Sequence, residues 1–277
     1  MSASTPAATK PKITLPSSFT VTEGIDVTDH QLTECAALFS AHYGVWGAGV
    51  GGGLRPGTRV RMNAAKLRTQ CLANPTHSAL AACHTPDGLL VGHAFATVWE
   101  FADPLHPTTT RKVGWVTQLV VHKLVRRHYI ATHLLQQLKA SATFAGVTVI
   151  GLASSHPAAC AAAAKFAHTG VDTLDTQFIA DYARSVLGAA PVGYIRSAEL
   201  RGSLFGKGGG DSVSAPGDGV VSSVFTDFYV DHDEPLAVLR AFRDKRKGEG
   251  EGAGWQLGEL LDGHEFLLLA PVEVEIL

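Results

Sequence analysis

The chain has 277 residues, 45% of them hydrophobic, which is enough to bury one large core or two small ones. Its 23 Lys and Arg face 25 Asp and Glu, so there is no net field to hold a polyanion or an anionic membrane, and neither nucleic acid nor membrane is expected as a partner. No run reaches the roughly 20 apolar residues that a spanning helix needs, and Cys35, Cys71, Cys83 and Cys160 show no C-x-x-C pair, which argues against a zinc site or a disulfide framework.

Residues 1–18 (MSASTPAATKPKITLPSS) read as a disordered polar tail. They share an acid-poor, Ser-, Thr- and Ala-rich composition with organelle transit peptides but lack Arg, and they have no apolar signal core, so a cytoplasmic location is expected. Phe19 to Val27 alternates like a strand, and Asp29 can cap a helix that carries Leu32, Cys35, Ala36 and Phe39 on one face. His42 to Gly57 is a glycine-rich loop. Its G-x-G-x-x-G at Gly47, Gly49 and Gly52 follows a helix rather than a strand, the reverse of a dinucleotide fingerprint, so it reads as a mobile loop beside a substrate site. A helix from about Asn63 to Ala73 comes next, then a hairpin, Ala79–His84 and Leu89–Glu100, around Thr85-Pro86-Asp87-Gly88.

A Pro-rich linker (Asp103 to Thr110) leads into a strand over Lys112–Val121, apolar near its end as in the buried middle of a sheet. The following helix aligns Ile130, Leu134, Leu135 and Leu138. Val147–Ala153 is a further buried strand, and His156-Pro157 opens an alanine-rich helix. From about 171 to 219 the pattern degrades into one helix (Leu174–Leu187) and the loop GKGGGDSVSAPGDG, read as an insertion. A strand over Val220–Val230, a charged helix over Glu234–Arg246, the loop GEGEGAG and a strand over Glu265–Pro271 complete what is expected to be a single domain over 19–277.

The segment between the Lys112–Val121 strand and its helix concentrates Lys123, Arg126, Arg127 and His128. Positive charge at a helix N-terminus is unfavourable unless an anion binds there, whereas the unpaired N–H groups of the first turn are suited to phosphate. The run Gln118 to Leu135 (QLVVHKLVRRHYIATHLL) resembles the acetyl-CoA motif of the GNAT N-acetyltransferase superfamily, an apolar strand followed by R/Q-x-x-G-x-G/A at a helix start, with Arg126, Tyr129 and Ala131 in the key places. The order of elements agrees over residues 19–170 and the two late strands. The resemblance implies an α/β fold with a central mixed, mostly antiparallel sheet flanked by helices. It implies acetyl-CoA as acyl donor, with the pyrophosphate held by amides from Arg127 through His128, Tyr129, Ile130 and Ala131 to Thr132 and by the side chains of Arg126 and Arg127. It also implies a thioester laid along Leu119, Val120 and Val121, with an N–H of Leu119 or Val120 as the oxyanion donor. Ser154 and Ser155 stand where relatives place a polar residue against the cofactor, although a Ser pair before a helix also serves as a cap. Tyr129 departs from the glycine of the pattern.

Acetyl transfer to an amine needs a base and is helped by an acid at the thiolate. Relatives use a Tyr in the helix after the fifth strand, and HPAACAAAAKFA has none. For the base, Glu100 at a strand end and His232 between Asp231 and Asp233 are candidates, with Gln118 orienting a water. Glu100 reads more readily as a solvated strand end, His232 as part of a helix-capping turn and His93 as a core or cleft histidine than any of them does as a base. Tyr43 and Trp46 in the glycine-rich loop supply flat contact area for a small-molecule amine with an apolar or aromatic part. The expected activity is acetyl transfer to a primary amine by direct attack on the thioester. The alternative is an impaired acyl-CoA-binding or interaction module, motivated by Tyr129 and the missing acid. A homodimer through the late strands is compatible with either.

Overall fold

The computed structural model describes residues 13, 15, 18–206, 219–244 and 254–273. Nearly all of the polar tail, and most of the glycine-rich stretches at 206–219 and 248–254, lie outside the described residues. Strands β1 (Ser18–Glu23), β2 (Ser78–His84), β3 (Leu90–Ala102), β4 (Thr110–Val121), β5 (Val149–Ser154), β6 (Glu199–Arg201), β7 (Ser223–Phe225) and β8 (His264–Pro271) form one mixed sheet in the order β1-β2-β3-β4-β5-β8-β7-β6. Only β4 and β5 run parallel; every other neighbouring pair is antiparallel. The helices are α1 (Asp29–His42), α2 (Ala64–Cys71), α3 (Ile130–Lys139), α4 (Pro157–Phe166), α5 (Thr176–Gly188), α6 (Gly193–Arg196) and α7 (Asp233–Asp244).

Alternation along β2 shows how the layers form. Ala79, Ala81 and Cys83 join the core under α3 and α4, while Leu80 and Ala82 join a second core with Leu32, Phe39 and Leu67 of α1 and α2. The α3 stripe of Ile130, Leu134, Leu135 and Leu138 is buried, each residue contributing roughly 1.5–3 kcal/mol. α3 sits close to the sheet because β3 offers Gly92, where an added Cβ would come within 2.9 Å of Ile130 Cγ2. All four cysteines are buried and free.

Several boundaries differ from the sequence expectation, each for a local reason. The first strand stops at Glu23 because Gly24–Asp26 turn into a 3-10 segment. The cap of α1 is Thr28, not Asp29: the Thr28 hydroxyl accepts from Gln31 N while Gln31 Oε1 accepts from Thr28 N, a reciprocal capping box. The expected strand over Val220–Val230 pairs only at Ser223–Phe225, and the chain leaves the sheet through Asp227 at φ 57°. The stretch read as an insertion packs onto the main body. Ile179, Tyr182, Ala183 and Val186 of α5 are buried in the larger core, Trp99 Nε1 donates to Val186 O, and β6 closes one sheet edge.

Candidate active site

The site grows out of β4. Its parallel pairing with β5 covers only Val113 to Val116 against Val149 to Leu152. A bulge then leaves Thr117 outside the β3 register, and the rest of β4 pairs with β3 alone. His122 N donates to Val91 O, so this residue pair is hydrogen-bonded. By alternation the backbone of Val120 also faces β3, while Leu119 and Val121 turn their N–H groups into the gap that opens toward β5. Val120 is thus removed from the residues expected along the thioester: its backbone is committed to β3 and its side chain is buried in the α1–α2 core. Leu119 lines the cavity at the gap, and by the same alternation its N–H is turned away from β3.

Beyond β4 the chain makes a short turn at Lys123–Val125 and enters α3 through two left-handed residues, Arg127 (φ 68°) and Tyr129 (φ 59°). Left-handed backbone explains a preference for glycine at the Tyr129 position more directly than close approach to phosphate does. The Tyr129 ring points outward, two-thirds exposed, with Lys165 Nζ 5.2 Å from its centroid. No side chain caps α3, and its first intrahelical bond is His133 N to Tyr129 O, which leaves the N–H groups of Ile130, Ala131 and Thr132 open. Arg127 and His128 are exposed beside them.

Arg126 does not join this cradle as a free cation. Its Nε donates to Val121 O (3.1 Å), one guanidinium nitrogen to His42 O (2.8 Å), and the other pairs with Glu234 at the start of α7. The expected side-chain contact of Arg126 with pyrophosphate is therefore corrected: the residue clamps the end of β4 to α1 and α7. Lys123 (3.3 Å) and His156 (3.9 Å) also approach Glu234, and this surround holds its carboxyl down at about 2. Glu234 thus links the loop after β4 to the loop after β5.

At the gap lies a cavity of about 270 Å³. Its polar lining includes Gln118, Ser154, Tyr194, Thr226 and Glu265, and its apolar walls include Phe39, Tyr43, Trp46 and Phe228. Phe39 and Tyr43 stack with centroids 4.2 Å apart, and the Trp46 ring meets Phe228 edge-on at 5.3 Å. The wall is closed by the segment that leaves β7: Trp46 bridges Val230, Gly47 N donates to Tyr229 O and Asp231 N to Val45 O. Gln118 Oε1 lies 2.7 Å from Nε2 of buried His93. Burial pulls His93 down to about 4, so at neutral pH its Nε2–H donates to Gln118 and fixes the amide.

Glu265, on β8, is 8% exposed. Burial pushes its carboxyl up to about 7, against the opposing pull of the Thr226 hydroxyl and the Ser155 N–H. Tyr194, on α6, donates from its hydroxyl to Thr117 O in the bulge (2.9 Å), and burial raises its phenol well above the usual value, so it stays protonated. A carboxyl poised near neutrality and a protonated phenol in one cleft can accept and supply protons. Neither was legible as a site residue in the sequence. Glu265 reads as the charged end of an apolar strand, and Tyr194 lies in a short helix without periodicity.

Two expected bases lie elsewhere. Glu100 pairs with Lys112 across β3 and β4, six positions before Gln118 and so about 20 Å down the sheet. It lines a different depression, with Asn74, Trp99 and Thr143. His232 is buried ahead of α7, with Nδ1 3.7 Å from Asp262, and does not line the cavity; burial lowers it despite that neighbour. Ser154 lines the cavity while its Oγ accepts from His156 N, whereas Ser155 is buried, does not line the cavity and gives its backbone N–H to Glu265.

Residues 56–168 match the model of the Acetyltransferase (GNAT) family. Comparison with curated proteins gave no match. Among solved structures, the NatC complex bound to Gag peptide and CoA is 16% identical over 50% of this chain and 75% of that one (TM-score 0.32). An acetyltransferase of the GNAT family from Streptococcus pneumoniae is 13% identical over 49% and 74% (TM-score 0.32). Diaminobutyrate acetyltransferase EctA from Paenibacillus lautus, in complex with L-2,4-diaminobutyric acid and coenzyme A, is 25% identical over 31% and 46% (TM-score 0.21). The matched stretch runs from the loop before α2 to the end of α4 and so contains the split strands and the helix start after β4: residues 56–168 are similar to the acetyltransferase domain of the GNAT family.

Proposed function

We propose that the protein transfers an acetyl group from acetyl-CoA to the primary amine of a small molecule by direct attack on the thioester. The observation that carries this reading is the opening of β4 from β5 beside a buried carboxyl: Leu119 and Val121 present N–H groups to the gap, and Glu265 lines the same cavity. The pyrophosphate rests on the open amides of Ile130, Ala131 and Thr132, with Arg127 and His128 beside it. Acetyl-CoA supplies the acyl group and a thiolate that leaves. Glu265 takes the proton from the attacking amine, the Leu119 N–H faces the developing oxyanion, and the Tyr194 hydroxyl supplies the proton to sulfur. Gln118, fixed by His93, orients the amine or a relaying water.

The impaired-module alternative rested on the missing Tyr of α4 and on Tyr129. Tyr194 and Glu265 offer the acid and base from other elements, and the outward Tyr129 ring leaves the cradle amides clear, so the catalytic reading is favoured. The test is thiol release from acetyl-CoA over a panel of small amines, arylamines and amino acids, with CoA binding followed by calorimetry. CoA binding without turnover on any acceptor overturns the enzymatic reading; no binding at all overturns the cradle.

A further inference from the structure

One carboxylate stands at the end of the sheet where the gap opens. β4 and β5 run parallel, so the loops that follow them, residues 122–129 and 155–156, leave the sheet at the same end. Glu234, in the first turn of α7, reaches both: it pairs with Arg126 and lies 3.3 Å from Lys123 Nζ and 3.9 Å from His156 Nε2. His156 Nδ1 accepts from Ala158 N at the start of α4, which leaves the ring proton on Nε2, the atom that faces Glu234. Among the described residues no other carboxylate pairs with Lys123, Arg126 or His156. Positive charge here exceeds what one carboxylate cancels. His42, at the end of α1, is held down to about 4 by burial, with His122, Arg126, Arg59 and Lys123 acting in the same direction.

A molecule that runs from the gap to the open amides of Ile130, Ala131 and Thr132 leaves the sheet at this same end, so its phosphates and the Glu234 carboxylate meet the same donors. Building on the acetyl-CoA reading, we propose that Glu234 competes with the cofactor's phosphates for Lys123 and His156, and so sets the affinity of the site for phosphate-bearing ligands. When a phosphate enters, Lys123 Nζ and His156 Nε2 turn from the carboxylate to it. Arg126 keeps its bonds to Val121 O and His42 O, so the end of β4 stays in place. Two properties favour exchange over a fixed bridge. Glu234 and Lys123 are each 44% exposed, so their pairing is screened and weak. A phosphate also brings more charge and more acceptor oxygens than a carboxylate, and a carboxylate left beside it would repel it.

The experiment compares the full chain with its Glu234→Gln and Lys123→Gln variants, using two ligands: acetyl-CoA, by calorimetry, and the phosphate-free S-acetylpantetheine, by NMR titration, which reads weak affinities. Glu234→Gln is expected to bind acetyl-CoA at least about 3-fold more tightly, the scale of one exposed ion pair, and to leave S-acetylpantetheine unchanged. Lys123→Gln is expected to weaken acetyl-CoA by a similar factor, again without moving S-acetylpantetheine. A Glu234→Gln variant that binds acetyl-CoA no more tightly than the unaltered chain overturns the competition and leaves the cofactor reading standing. The same holds if both ligands shift together, which would make Glu234 a support of the fold alone. If neither the unaltered chain nor Glu234→Gln binds acetyl-CoA, the cofactor reading and this proposal fall together.

Discussion

One strand, β4, behaves in two opposite ways along its length. From Val113 to Val116 it is hydrogen-bonded on both sides, with Trp115 1% exposed against Gly151 and the neighbouring Trp99. From Leu119 to Val121 the same strand keeps its β3 partner and loses β5, and the gap contains a cavity with a buried carboxyl. The bulge at Thr117 divides the two halves. Closure of the lower half holds the strands in fixed positions, and this is what allows the upper half to remain open: backbone groups left unpaired cost free energy that the packed half must offset. Stability should therefore respond to changes below the bulge and catalysis to changes above it.

Glu265→Gln tests the upper half most strongly. It keeps the volume and removes the proposed base, so kcat is expected to fall about 100-fold at neutral pH, the usual scale for losing a general base, while unfolding free energy at that pH is kept or raised because Gln carries no buried charge. In the unaltered protein kcat/KM should rise through about pH 7 as Glu265 ionises. Because its folded value is raised from 4.5, the stability it contributes is present below about 4.5 and lost as pH rises through about 7. The variant should show neither dependence; a retained rise in kcat/KM near pH 7 would assign the base elsewhere.

Gly151→Val tests the lower half. An added Cβ would stand 2.3 Å from Trp115 Cε3 and 3.0 Å from Leu269 Cδ2. A loss of about 1–3 kcal/mol is expected in denaturant unfolding, and an unchanged midpoint would show that the closed half is looser than its packing implies. Arg126→Ala acts at the far end of the open half. It frees the carbonyls of Val121 and His42 and the Glu234 carboxylate, for an expected loss of about 1–2 kcal/mol. Glu234 has a folded value lowered from 4.5 to about 2, so its share of stability is present above about 4.5 and fades as pH falls toward 2. Since this carboxylate is exposed by 44%, its share is about 1 kcal/mol or less. If Arg126→Ala weakened acetyl-CoA binding without changing stability, the clamp would give way to a direct phosphate contact.

Tyr129→Gly has the smallest expected effect. It relieves a left-handed residue but adds freedom to the unfolded chain and removes the ring beside Lys165, so a net gain of about 0.5 kcal/mol is expected, with CoA affinity kept or tightened. A large loss of affinity on calorimetry would mean that the ring itself packs on the cofactor.

The strand, turn and helix that form the proposed cradle were legible in the sequence because their signals are local: an apolar strand, a basic turn and a 3.6-residue stripe lie within eighteen consecutive positions from Gln118 to Leu135. Acid–base chemistry gave no such signal. Glu100 and His232 had the right functional groups at strand ends, but a residue's position along a strand does not show which end of the sheet it faces. Glu265 and Tyr194 come from elements far apart in the chain and meet only because β8 lies beside β5 and α6 folds against the bulge. The register of the β4 bulge was equally hidden: one unpaired residue decides whether Leu119 or Val120 faces the gap, and a hydrophobic pattern reads both as buried.

Periodicity and capping chemistry thus determined most of the elements and the basic helix start after β4, because those depend on neighbours a few residues away, while the mixed sheet was implied by the family resemblance. Tertiary structure alone decided how far β5 separates from β4, which carboxyl is buried to near-neutral affinity for its proton, and that Arg126 is committed to Val121, His42 and Glu234. Each of these depends on desolvation and pairing between distant segments, which exist only once the chain has folded.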